Sequence, residues 1–345
     1  MSILQRPTSV DTAPVTVVDT ARSPHARLRP IGLRQVRLTG GFWSPVVQRN
    51  REVTLEAQYR QLEASGTLDN FRRAAGKGDG EFQGMWFADS DVYKWLEAVS
   101  WTLASGPSAP LERLAEEAIA LVRAAQEPDG YLDTYYSGER APLRWSDLPT
   151  MHEMYCAGHL IQAAVAHQRA TGSNELLEVA VRVAEHIDRT FGPGGRPGAD
   201  GHPGIEMALV ELARLTGERR WLELARRLVE QRGLVPPAIS GRAYHQDHVP
   251  FAEQREPVGH AVRGLYLYCA AADLVAETGP ARYRQALDAL WSSLHGRRIY
   301  VTGGVGARWD NEAFGEDYEL PNRRAHAETC AVVAEVFCAC RMLQL

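Results

Sequence analysis

From about residue 46 to residue 345, apolar side chains recur at spacings of three and four and continuous β-branched runs are scarce, so the pattern predicts helices almost throughout. The segments that carry it are 46–65, 91–105, 110–127, 150–171, 174–191, 203–216, 218–232, 258–278, 281–296 and 324–345, with boundaries uncertain by a few residues. Three stretches repeat a common phrase: ATGSNELLEVAVRVAEHI from Ala170, LTGERRWLELARRLVEQRG from Leu215 and ETGPARYRQALDALW from Glu277. In each, a glycine (Gly172, Gly217, Gly279) falls where an outgoing helix needs a residue tolerant of positive φ, and an amphipathic segment resumes within a few positions. These are helical hairpins. The segment ahead of each turn opens with a histidine near its start, so the repeat is loose but visible.

Ten helices arranged as hairpins predict an all-α fold, an (α/α)6 toroid of six hairpins with its last one missing. The loops at one mouth of such a ring hold the chemistry. They include GEFQGMWFADSD from Gly80, PDGYLDTYY from Pro128, GADGH from Gly198 and the long 233–257 connection with Tyr244, His245, Asp247 and His248. Aromatics, carboxylates and imidazoles interleave there, a combination that suits sugars, which present apolar ring faces beside hydroxyls. Residues 1–35 mix Pro, Thr, Asp, Arg and Val without an uninterrupted apolar stretch, and predict a loosely ordered leader with neither a signal peptide nor a membrane anchor.

Composition narrows the partners. A net charge of -5 over 345 residues offers no basic patch to grip nucleic acid or an anionic membrane, which points to a small neutral or polar ligand. Five cysteines, an odd number spread from Cys156 to Cys340, do not form a secreted disulfide framework, and predict reduced thiols in the cytoplasm. An assembly of identical copies stays open.

The densest chemistry lies between Val301 and Cys330, where an acidic, Gly-rich loop runs into a helix start carrying Glu328 and Cys330 two residues apart. Glu312 stands among Asp310, Glu316, Asp317 and Glu319, and like-charge neighbours predict a carboxyl held protonated near neutral pH, as a general acid requires. Glu328 and Cys330 are candidate metal ligands; a buried structural cysteine is the competing reading. Asp89 and Asp91 read either as sugar acceptors or as caps of the helix that follows. Cys156, Cys269, Cys338 and Cys340 read as core.

Eight phrases in order then carry a specific resemblance: FADSDVYKWLE (Phe87–Glu97), DGYLDT (Asp129–Thr134), HEMYCAGH (His152–His159), GADGHP (Gly198–Pro203), GHAVR (Gly259–Arg263), YVTGGVG (Tyr300–Gly306), EAFGEDYELPN (Glu312–Asn322) and ETCA (Glu328–Ala331). The chain from about residue 40 onward resembles the N-terminal part of glycoside hydrolase family 127, the β-L-arabinofuranosidases. That resemblance implies a retaining glycosidase in which a zinc-held cysteine thiolate attacks the anomeric carbon. It implies Glu312 as acid/base, Glu328 and Cys330 as two of four zinc ligands, and His152, His202 and His260 against the sugar hydroxyls. Zinc lowers a bound thiol's pKa, so the chemistry is coherent at neutral pH.

The resemblance also implies a nucleophile and a fourth ligand in a paired-cysteine motif beyond position 345. Cys338 and Cys340 do not replace them: on one continuous helix they lie roughly 12 and 15 Å along the axis from Cys330, whereas two thiolates on one zinc are roughly 4 Å apart. The domain boundaries expected are therefore a leader over 1–35 and, over 36–345, a ring lacking its last helices and any downstream β-domains, with an apolar helix face left uncovered. A fragment of a longer enzyme and a truncated, non-catalytic remnant with at most weak sugar binding both fit, and a six-hairpin sugar epimerase is the third reading.

Overall fold

The protein is described here by a computed structural model covering residues 14–345. Among the described residues there are twelve α-helices, five short 3-10 turns and no strand, only two isolated bridges in the loop around Ala313. Helices α1 (Trp43–Arg49) and α2 (Leu55–Ala64) are one rod interrupted by a π-helical stretch, Asn50–Thr54. There follow α3 (Thr67–Ala74), α4 (Asp89–Ser105), α5 (Ala109–Ala125), α6 (Glu153–Thr171), α7 (Glu175–Phe191), α8 (Ile205–Thr216), α9 (Arg219–Glu230), α10 (Ala261–Thr278), α11 (Ala281–Arg297) and α12 (Thr329–Gln344). All ten expected helices are present. The eight residues of α3 escaped the pattern because they offer few apolar anchors, Leu68 and Phe71 chief among them, between charged positions.

Alternate helices pack as two concentric rows. Helices α2, α4, α6, α8, α10 and α12 follow one another on the inside, while α3, α5, α7 and α9 do so on the outside. The burial pattern explains the sorting. Inner α10 is buried from Ala261 to Ala276, whereas outer α9 buries only Trp221, Leu224, Ala225, Leu228 and Val229, one stripe at the i, i+3, i+4, i+7 spacing. Gly172, Gly217 and Gly279 each adopt positive φ (79°, 76° and 63°) at the ends of α6, α8 and α10, as the repeated phrase required.

Because each inner helix is preceded by a mouth loop, all the inner N-termini from α4 to α12 converge on one face and their C-termini on the other. At that lower face, the base, the segment expected to be a loose leader is tied down as a strap, and its first thirteen residues lie outside the described residues. The strap covers helix-end carbonyls that would otherwise lack donors. His25 N donates to Ala276 O (3.0 Å), Arg27 N to Gln344 O (2.7 Å), Arg22 Nη2 to Arg214 O (2.9 Å), and Arg34 to Ala104 O and Ala170 O (3.1 and 3.0 Å). Beneath the strap a buried ion network joins α6, α8, α10 and α12: Arg169 to Glu211 (2.7 Å), Arg214 to Glu211, Asp273 (2.9 Å) and Glu277 (2.7 Å), and Arg341 to Asp273 (2.6 Å).

Apolar side chains are exposed on α12 (Val333, Val336, Leu343) and at the first described helix (Phe42, Trp43, Val46, Val47). Cys340 corrects one expectation. It lies on the open side of α12 and is exposed, whereas Cys156, Cys269 and Cys338 are buried as core residues. No described helix is long and apolar enough to cross a membrane.

Candidate active site

The mouth gathers five of the six sequence-predicted residues by a simple rule, each standing at or just before the N-terminus of an inner helix, while Glu312 comes from the loop between α11 and α12. His152 is the residue before α6, His202 lies on the turn before α8, His260 precedes α10, and Glu328 and Cys330 open α12. The three imidazoles line up, with ring centroids 5.5 Å apart for His152 and His202 and 5.9 Å for His202 and His260. Tyr155, Tyr266 and Tyr244 interleave with them, and Trp86 and Phe87 flank His152. This is an aromatic and imidazole wall of the kind a sugar ring needs.

The hydrogen bonds assign the tautomers. His152 Nδ1 donates to Thr150 O and His202 Nδ1 to Pro203 O (2.7 Å), so each leaves Nε2 as a bare acceptor. His260 is the reverse. Its Nδ1 accepts from Arg263 N (3.5 Å), which puts the proton on Nε2, and that nitrogen donates to Glu312 Oε2 at 2.8 Å. All three rings are held neutral. Burial, with the nearby Arg263 charge, pushes His152 down to about 4, His260 to about 3, and His202 well below its ordinary value.

Glu312 thus stands on this rim against His260 rather than among acids. Its acidic neighbours are turned away and neutralised: Glu319 and Glu316 pair with Arg308 (2.6 and 3.4 Å), and Asp317 pairs with Arg297 and Arg298 (3.0 and 2.7 Å). The Arg308 hydrogen bonds hold the Glu319 carboxyl down at about 2. Those acids are thus spent on arginines rather than crowded against Glu312. Its surroundings are His260 on one side and, on the other, His326, whose Nε2 is 3.9 Å from Oε1. The loop reaches this position through a bridge between Ala313 and His260 and through left-handed backbone at Asn311 and Glu312 (φ 58° and 50°). His152 (φ 61°) and Ala327 (φ 40°) share that strained conformation, of the kind that clusters at functional sites.

His326 was missed. Its Nε2 donates to Glu328 Oε2 at 2.8 Å, and ligand atoms of Glu312, His326 and Glu328 lie within 4.8 Å of one another. The signal was present in the alternation His326, Glu328, Cys330, three donor side chains two residues apart. Cys330 is exposed as a residue, yet partial shielding of its thiol from water, together with the Glu328 carboxylate it bonds, raises its pKa. A thiol raised by an adjacent anion, beside a carboxylate already oriented by a histidine, fits a divalent cation, whose charge reverses both effects.

The remaining candidates serve as scaffold. Asp89 neither caps α4 nor faces the mouth; it is buried and accepts from Thr134 N at 2.7 Å, tying the 128–134 loop to the helix. Asp91 is exposed, 3.7 Å from Lys94. Asp247 accepts from the backbone of Gly233, Ser240 and Gly241, and His245 binds Ser240 Oγ at 2.6 Å, so this group organises its loop. A buried carboxylate that the sequence did not single out, Asp200, joins two histidine loops: Oδ2 accepts from Met154 N and Tyr155 N (2.9 and 3.2 Å) and Oδ1 from His202 N (2.8 Å).

An inner ring of helices with a carboxylate, imidazoles and aromatic rings at its mouth is the architecture of helical-toroid carbohydrate enzymes. Residues 35–345 match the family model for the β-L-arabinofuranosidase GH127 catalytic domain, and the chain belongs to that family. Among its relatives is the non-reducing end β-L-arabinofuranosidase of Bifidobacterium longum subsp. longum, 40% identical over 307 residues, which are 81% of this chain and 46% of the relative. The crystal structure of a GH127 β-L-arabinofuranosidase from Geobacillus stearothermophilus T6 superposes with a TM-score of 0.87 at 42% identity, covering 90% of this chain and 53% of that one. A second GH127 β-arabinofuranosidase gives 0.88 at 37% identity, over 93% and 52%. A D-mannose isomerase, 14% identical with a TM-score of 0.51, shares the fold alone. The chain spans about half the length of the GH127 relatives it matches.

Proposed function

We propose that these residues form the acid/base and sugar-binding half of a retaining β-L-arabinofuranosidase. The observation that carries the reading is the convergence of Glu312, His260, His326 and Glu328 on one rim, beside Cys330 and the bare acceptor nitrogens of His152 and His202. His152 and His202 accept from sugar hydroxyls, and Tyr155 and Tyr266 face the ring. Glu312, when protonated, delivers its proton to the departing oxygen; once ionised, it takes a proton from the water that completes the second displacement. His260 orients that carboxyl through its Nε2–H. Glu328 and Cys330 would hold zinc, with His326 steadying Glu328, and zinc when bound supplies a thiol acidified enough to exist as thiolate at neutral pH. Five free cysteines support a reducing compartment, and we place the protein in the cytoplasm.

The test is leaving-group dependence in the protein that carries these residues. Glu312→Gln should lower kcat/KM for an alkyl β-L-arabinofuranoside by roughly 10²- to 10⁴-fold, and far less for an activated aryl glycoside that departs without protonation. Equal losses on the two substrates would remove Glu312 from the acid role.

A further inference from the structure

Arg263 stands in the first turn of α10, three residues after His260, and only 5% of it is exposed. Among the described residues no carboxylate forms an ion pair with it, and its buried Nε and Nη1 have no hydrogen-bond partner. Its position is doubly unfavourable. A cation at a helix N-terminus opposes the helix dipole, which prefers an acid there, and α10 has no acidic residue in that turn. A buried guanidinium without an ion-pair partner carries a desolvation penalty that the Tyr244 ring and the more distant Asp200 and Glu312 offset only in part, and burial keeps its pKa below the ordinary value. The groups nearest in charge are already committed: Asp200 has both oxygens filled by backbone N–H groups, and Glu312 accepts from His260. The guanidinium lies over the Tyr244 ring, 4.7 Å from its centroid, and its charge reaches His152, His202 and His260 alike.

We propose that Arg263 is a specificity-determining residue of this site, donating hydrogen bonds to hydroxyl oxygens of the sugar seated against His152 and His202. The inference rests on the functional reading above and names a contact within it. The choice of ligand chemistry follows from the donors and acceptors left over. The mouth offers unfilled acceptors, Nε2 of His152 and of His202, beside unfilled donors on Arg263. A hydroxyl satisfies both at once, donating to imidazole and accepting from guanidinium. A carboxylate or phosphate satisfies only the arginine and sets its lone pairs against two bare nitrogens. The combination selects a neutral polyol over an anion, although a lone buried arginine would favour the anion.

The experiment measures affinity and stability together on the 345-residue chain. Methyl β-L-arabinofuranoside, which cannot open to the pyranose, and acetate as an acceptor-only anion are titrated by calorimetry into wild type, Arg263→Met and Arg263→Lys. The glycoside should bind wild type, weaken on the order of ten- to a hundred-fold in Arg263→Met, and weaken less in Arg263→Lys, while acetate binds more weakly than the glycoside. Arg263→Met should unfold at the wild-type temperature or above it, since the variant removes an unpaired buried charge. Equal glycoside affinity in wild type and Arg263→Met, or acetate binding more tightly than the glycoside, overturns the proposal. So does a fall of several degrees in the melting temperature of Arg263→Met, or its failure to fold, because a structural arginine would behave that way. If wild type binds no glycoside, the arabinofuranosidase reading fails, and the stability measurement alone then decides whether Arg263 is held open or holds the fold.

Discussion

The two ends of the ring treat a buried arginine in opposite ways. Arg214 at the base and Arg263 at the mouth are 7% and 5% exposed, so both have lost their water. Arg214 is surrounded by Glu211, Asp273 and Glu277 from two helices, while among the described residues no acid forms an ion pair with Arg263. At the base, burial alone would raise the Glu211 carboxyl, yet Arg169, Arg214 and Arg341 hold it down at about 2. At the mouth, burial and Arg263 act in the same direction on the histidines and keep them uncharged. One end pairs each arginine with a carboxylate of the chain, although Arg214 Nη2 itself has no hydrogen-bond partner; the other leaves its arginine without an ion pair and its imidazole acceptors unspent. Ion pairing that includes every member stabilises a fold, and pairing left incomplete marks where a ligand completes it.

The largest effect that would break this contrast is at the base. Arg214→Met leaves the buried Glu211 and Asp273 and the half-buried Glu277 with a charge deficit across α8 and α10, and should cost about 3–5 kcal/mol, measured by urea unfolding at pH 7. The same replacement at Arg263 is expected to bring no net loss at pH 7, because the desolvation relieved outweighs the lost attraction to Asp200, so similar losses at both positions would erase the distinction.

A smaller loss is expected where the mouth does depend on an internal anion. Asp200 accepts three backbone N–H groups and so fixes the start of α6 relative to the turn carrying His202. Asp200→Asn turns one acceptor oxygen into a donor facing N–H groups, and should cost about 1–3 kcal/mol. The His152 and His202 ring resonances should shift together, because one carboxylate anchors both loops. A shift confined to His202 would show that α6 is anchored otherwise.

Helix periodicity made the ring legible from the sequence, since inner helices such as α10 and outer helices such as α9 differ in how much of their circumference is apolar. The glycines at 172, 217 and 279 fixed the hairpin turns for the same reason. The residues that meet at the mouth were legible partly from residue type, as with Glu312 and the Glu328 and Cys330 pair, and partly only through the resemblance, as with the histidines that open α6, α8 and α10. What failed was inference from proximity along the chain. Glu316, Asp317 and Glu319 lie within seven residues of Glu312 yet pair with Arg308, Arg297 and Arg298, because a loop with left-handed residues sends successive side chains in different directions. Asp200 and the base network were invisible because partners that define them are distant in sequence, 46 and 45 residues for Asp200 with Met154 and Tyr155 and 68 for Arg341 with Asp273. Arg263 left one readable trace, a cation where a helix start favours an acid.

The smallest effect tests whether Arg263 is what separates the two ends, and it appears as a dependence on pH. His152 has a folded pKa of about 4 against 6.5 for the free side chain, so its contribution to stability is complete above 6.5 and is lost as pH falls from there toward 4, where the unfolded chain binds the proton and the folded one does not. His202 and His260 are shifted the same way, each partly by Arg263. Asp200 is raised to about 6 by burial and is lowered in part by Arg263, so removing the arginine raises it further and costs stability at neutral pH rather than in acid. Both consequences have one sign. Arg263→Met lets the histidines recover toward 6.5, so the variant loses less stability on acidification, by about 1.4 kcal/mol for each unit recovered. The stability of Arg263→Met relative to wild type should therefore rise between pH 6.5 and pH 4, followed by thermal melts across that range, while Glu211→Gln measured against wild type should hold its deficit through the same window and narrow it only as pH falls from about 4.5 toward 2. A relative stability of Arg263→Met that is flat with pH would mean that burial alone keeps the mouth histidines neutral, and that the unpaired cation does nothing to them.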